Sequence, residues 1–273
     1  LLAAPHAVQF GLLWLAHPEW TLPSDQYYWL LAILGAAYQK LGQLRTAELF
    51  YRLAQDHTGS YTESGLRMAL NRGTCAWLLG EVDEAQRLFE FTRVESQQRG
   101  FALVEAWATI GWTTIQFYNQ KLDGTLAALN RVEQIAMMLE ESSLIHAVWH
   151  NQVVWARLTN QWDQQRDFLQ RLEDAYATSD LPITLLTEYL YRWTHLHAYD
   201  RAQDCLMRAR TRSAIGIEST EFWQAAATYF AACHNHVAWN VAQRFSQRPT
   251  ISWEDSWHLF DAMTINQGGP YSE

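Results

Sequence analysis

One pattern occurs twice and constrains the fold more than anything else in the chain. Leu34-Gly35-x2-Tyr38-x3-Gly42-x4-Ala47-x3-Tyr51-x2-Ala54 comes first. Gly73-x2-Ala76-x3-Gly80-x4-Ala85-x3-Phe89 repeats its internal spacing 38 residues later. Small residues at fixed offsets, followed by an aromatic, are what two closely packed helices require. Helices approach to roughly 8–10 Å only where the side chains between them are small. A leucine at Ala47 or Ala85 is therefore expected to overpack that contact. Chains built from such pairs form solenoids, and solenoids are typically binding surfaces.

Helix signals frame these copies. A helix is expected from Ser24 or Asp25, either of which can cap it, to about Lys40, with a second from about Leu44 to Asp56. The next pair is expected at about Glu63 to Leu79 and from Asp83 to just before Gly100, with Gly42 and Gly80 at the turns. Degraded copies follow in phase. Their turns fall at Asn119-Gln120-Lys121, Asn160-Gln161-Trp162 and His197-Ala198-Tyr199, giving steps of 38, 40, 40 and 37 residues. A sixth pair, about Thr220 to Cys233 and Val237 to Phe245, fits the pattern more loosely. Trp253 to Ile265 reads as a final helix, and Pro5 to Ala16 as half a pair or an end cap.

The two clear copies resemble tetratricopeptide repeats. Gly35 and Gly73 match the small residue of helix A, Gly42 and Gly80 the turn, Ala47 and Ala85 the helix B contact, and Tyr51 and Phe89 the aromatic. Leu31 stands where the consensus has tryptophan, the closing proline is absent, and the period is near 39 rather than 34. The longer period resembles the repeat domains of bacterial regulators akin to the maltose-regulon activator. The resemblance implies an all-α fold, a right-handed α-solenoid of five or six antiparallel helix pairs. It implies a single repeat domain over 1–273, with clear repeats at 26–99, degraded ones at 101–213 and further helices at 219–265.

Composition narrows the function classes. Twenty Lys plus Arg against 29 Asp plus Glu give a net charge of −9, which opposes general attraction to nucleic acid. Arg208, Arg210 and Arg212 alternate around a helix and read as a solvated face. Three widely spaced cysteines, Cys75, Cys205 and Cys233, form no metal-type doublet and suggest reduced thiols in a cytoplasmic setting. Phe10 to Ala16, the longest apolar run, is too short to span a bilayer, and no basic segment precedes it. The chain begins with Leu1 rather than Met, which suggests a piece of something longer or the loss of a disordered start.

Nucleotide-binding, dinucleotide-binding, nucleophile-elbow and zinc-protease motifs are all absent from the sequence. The histidine pairs His146/His150, His195/His197 and His234/His236 supply too few ligands locally for zinc and read as structural or surface residues. A non-catalytic module without cofactor or metal is therefore expected.

The resemblance also implies where ligands would lie: the inner face of each helix A, at positions 2, 5, 9 and 12. That face offers Trp29 and Gln39 in the first copy, then Arg67, Leu70, Thr74 and Trp77. It continues with Trp107, Ile110, Thr114 and Phe117, then His150 and Arg157 with Asn151 beside them, and Thr187, Tyr191 and Thr194. Tryptophan, tyrosine and arginine supply most binding hot spots, although many of the 14 tryptophans are needed to fill gaps between helices. Trp107 and Trp112 lie five apart and cannot share a face, so one of them belongs to the core. The expected partner is a peptide or another protein held in the groove. Two alternatives stand beside it: a ligand-sensing domain of a larger transcription regulator or signalling protein, and a chaperone for a secreted partner. Neither direct nucleic-acid contact nor a membrane association is expected.

Overall fold

A computed structural model describes residues 3–17, 23–176, 181–212, 217–247, 256–258 and 260. Among these residues the chain forms thirteen α-helices and no strand. The first unit, Leu1–Asn151, contains α1 (Ala3–Ala16), α2 (Ser24–Lys40), α3 (Leu44–Thr58), α4 (Glu63–Leu78), α5 (Val82–Arg99), α6 (Ala102–Tyr118) and α7 (Thr125–Met138). The second unit, Gln152–Glu273, contains α9 (Trp162–Tyr176), α10 (Ile183–His195), α11 (Tyr199–Arg210), α12 (Ile217–Ala232) and α13 (His236–Ser246). The boundary falls within α8 (Ser142–Leu158).

In the first unit each helix from α1 to α7 packs on the next, and α4 also packs on α6. In the second, α10 packs on α9, α11 and α12, and α12 packs on α13. This is an all-α solenoid pattern of consecutive helix pairs. The expected last helix, 253–265, lies outside the described residues except for 256–258 and 260.

The repeated small and aromatic positions carry the packing. Tyr51 on α3 and Phe89 on α5 are almost fully buried, and Ala47 and Ala85 are completely so. A Cβ on Gly35 would come within 2.6 Å of the Tyr51 ring, and one on Gly73 within 2.9 Å of Phe89. Real side chains do not tolerate such approaches, so the aromatic ring takes the space the glycine leaves. A Cβ on Gly111 of α6, in the next pair, would come within 2.6 Å of the same Phe89 ring. Trp112 packs against this core, with the Arg93 guanidinium 4.9 Å above its ring.

Every A-to-B turn has one geometry. Gly42, Gly80, Gln120, Asn160, His197 and His234 all adopt positive φ, between 56° and 77°. At each, two backbone N–H groups close back onto the last turn of the preceding helix, as Gly80 N does to Trp77 O and Glu81 N to Ala76 O. This double closure satisfies carbonyls that a helix end otherwise leaves open. The looser sixth pair therefore has the same turn as the first two. The start of α2 differs from expectation: Pro23, not Ser24 or Asp25, precedes it, and no side chain caps it. Thr62 does cap α4, its Oγ1 accepting from Gly65 N at 3.0 Å.

Candidate functional site: an apolar cavity between α4 and α6

Residues 67, 70, 74 and 77 share one face of α4, and 107, 110 and 114 one face of α6, as helical periodicity requires. These seven side chains converge on one cavity of about 480 Å³, within the first unit. Asn71, Leu103 and Gly111 complete its wall, and the buried Phe89 and Val104 form its floor. Most of the lining is apolar. Its polar groups are Arg67, Asn71, Thr74, Thr114 and the indole N–H groups of Trp77 and Trp107.

The floor exists because of two glycines. Phe89 lies against Gly73 on α4 and Gly111 on α6, and a methyl at either position would collide with its ring. Gly111 was legible in the sequence: Gly35, Gly73 and Gly111 follow one another at intervals of 38 residues.

The other expected contact residues are placed as follows. Trp29 on α2 is 53% exposed, with Tyr28 edge-on to its ring at 5.2 Å. Gln39 Oε1 accepts a hydrogen bond from Tyr51 Oη at 2.8 Å. Phe117 is buried and is not among the residues lining the cavity. Asn151 is buried too; its Nδ2 donates to Ala147 O at 2.9 Å, and its Oδ1 lies 3.5 Å from the Thr113 hydroxyl. His150 lies half-buried on α8.

Arg157 and Tyr191 meet in the second unit. Arg157 Nε and Nη2 donate to the two carboxylate oxygens of Glu188 at 2.8 and 3.1 Å, tying α8 to α10. Tyr191 lies beneath the guanidinium at 4.2 Å. Burial alone would lower the Arg157 pKa, but the Glu188 charge and hydrogen bond outweigh it and hold the group above its ordinary value. Burial pushes the Tyr191 hydroxyl up to about 12. A fork-on-carboxylate pair of this kind fixes geometry and is spent on the fold. Thr187 and Thr194 are buried, with their hydroxyls bonded to Ile183 O and Leu190 O.

Among the described residues, no group of three or more histidine, cysteine or acidic side chains converges in a way that holds a metal ion. No described helix is long and apolar enough to cross a membrane.

The helix pairs, their shared turns and the glycine-aromatic contact define the tetratricopeptide-like repeat fold. Two solved structures share it. A tetratricopeptide repeat protein from Parabacteroides merdae superposes with a TM-score of 0.59 at 13% identity, over 96% of this chain and 91% of that one. BtubC (BKLC) from P. vanneervenii superposes with a TM-score of 0.57 at 15% identity, over 76% of this chain and 87% of that one. No family model and no curated protein matches the sequence.

Proposed function

We propose that this chain is a non-catalytic interaction module that holds a peptide segment of a partner protein in the cavity between α4 and α6. The observation that carries this reading is the convergence of Arg67, Trp77 and Trp107 on one apolar cavity. Aromatic anchors beside an arginine are the composition of binding hot spots. The tetratricopeptide-like fold supports a protein partner, because such arrays present side chains from successive helices along one surface.

Selection from a displayed peptide library tests it. Enriched peptides bind the wild-type chain and lose at least about tenfold in affinity for a Trp77→Ala/Trp107→Ala variant. Circular dichroism melts confirm that the variant is folded. Equal binding by both folded proteins would remove the cavity from consideration.

One observation favours a second reading, a small-molecule sensor. A cavity of about 480 Å³ lies within the size range of small-ligand pockets, roughly 300–1,000 Å³. Native mass spectrometry of the purified chain separates the two: a stoichiometric small ligand, lost in the same double variant, supports the sensor.

A further inference from the structure

This inference rests on the peptide reading and concerns what the cavity selects. Among the described residues, Arg67 is the only charged one in its lining. Its partner Glu63 sits one turn earlier on α4 at 3.2 Å, and the two side chains are 42% and 49% exposed. An exposed pair of this kind is worth little and yields readily to a competing carboxylate. The Thr74 and Thr114 hydroxyls already donate to Leu70 O and Ile110 O, so their protons are spent. Asn71 and the indole N–H of Trp107 make no hydrogen bond among the described residues, while Trp77 packs against the core around Phe89 and lies T-shaped to Tyr118 at 5.5 Å. The polar rim thus combines one cation with several unspent donors. The rest of the wall is apolar and closes on Phe89.

We infer that the cavity takes peptides in which a large apolar side chain lies within two residues of an aspartate or glutamate. The apolar group fills the space above Phe89, and the carboxylate pairs with Arg67. Phe89 sets the depth, because Gly73 and Gly111 both leave room for its ring where a Cβ would collide with it. The acid preference is local. The chain's net charge of −9 repels acidic peptides at long range, and that repulsion is screened beyond roughly 8 Å at physiological salt, whereas a contact pair at Arg67 is not.

The probe is a library of nonapeptides, acetylated and amidated so that only side chains carry charge, screened at physiological salt. The expected result is enrichment of Phe, Leu, Met or Trp at one position with Asp or Glu within two residues. Arg67→Glu is expected to weaken those peptides more than about tenfold and to turn the selected charge to Lys or Arg. Arg67 is partly exposed, so this variant keeps the fold; Thr114→Phe, which narrows the cavity, is expected to shift the anchor to smaller side chains. Peptides that depend on Trp77 and Trp107 but show no acid preference, or no reversal with Arg67→Glu, overturn this inference and leave the peptide reading standing. Absence of any peptide that distinguishes wild type from the Trp77→Ala/Trp107→Ala variant overturns both.

Discussion

Thr92 on α5 is completely buried, and its Oγ1 has no hydrogen-bond partner among the described residues. A buried hydroxyl without a partner forfeits its hydration and gains nothing in exchange. Thr92→Val keeps the shape and removes the orphaned group. The expected outcome is stability unchanged or raised by about 0–1 kcal/mol in chemical denaturation; a loss of stability would mean the hydroxyl is satisfied. Cys75 gives a second prediction at this scale. Burial, and then the Glu48 charge, raise its thiol from an ordinary 9.0 to about 11. The folded state therefore holds a proton that the unfolded chain releases. The corresponding stability is fully present below pH 9 and is lost as pH rises through about 11. Melts of the wild type are expected to fall more steeply between those values than melts of Cys75→Ala. Parallel slopes would assign the alkaline loss to other groups.

The turns show what an element demands and how much of that demand is written in the sequence. Gly42 and Gly80 announce theirs, because glycine adopts positive φ at no steric cost. Gln120, Asn160, His197 and His234 occupy the same conformation without announcing it. Only counting from the first two copies reveals their phase. The cavity wall was legible through the tetratricopeptide resemblance, which names the inner-face positions of each helix A; seven of those on α4 and α6 line the cavity. Gln39 and Arg157 lie on inner faces and Asn151 beside one, but their partners Tyr51, Thr113 and Glu188 lie 12, 38 and 31 residues away. No local pattern could show these bonds within the fold. The turns also yield a paired prediction. A Cβ on Gly80 meets nothing within 4 Å, so Gly80→Ala tests backbone strain alone and is expected to cost about 1–2 kcal/mol. His234, exposed and at φ 58°, is the mirror case. His234→Gly relieves that strain but frees the unfolded chain, leaving a net gain of roughly 0.5–1 kcal/mol. Denaturant titration of both variants checks the signs, and a destabilised His234→Gly would mean that the side chain contributes more than its backbone costs.

At the scale of the molecule, stability in a repeat array is local, because each helix answers only to its neighbours. Within the first unit that principle ranks the helices. α4 packs on α3, α5 and α6, whereas α1 packs on α2. Ion pairs reinforce the interior: Arg72 reaches from α4 to Glu48 on α3 at 2.9 Å, and Arg131 from α7 to the buried Glu105 on α6 at 2.6 Å. α1 instead leaves Phe10, Leu13 and Trp14 substantially exposed, with Phe10 at 62%. Opening α1 exposes one interface, while opening α4 breaks several, so the free energy of opening must rise from α1 toward α4 and α6. Hydrogen exchange followed by mass spectrometry is expected to show the fastest amide exchange in α1 and the slowest in α4 to α6. The cavity then lies on the best-protected helices, and on the proposed reading its wall would be held in position beforehand, which would lower the ordering cost of binding. Uniform protection across α1 to α6 would show that the unit opens as a whole, and the nearest-neighbour account of its stability would fail.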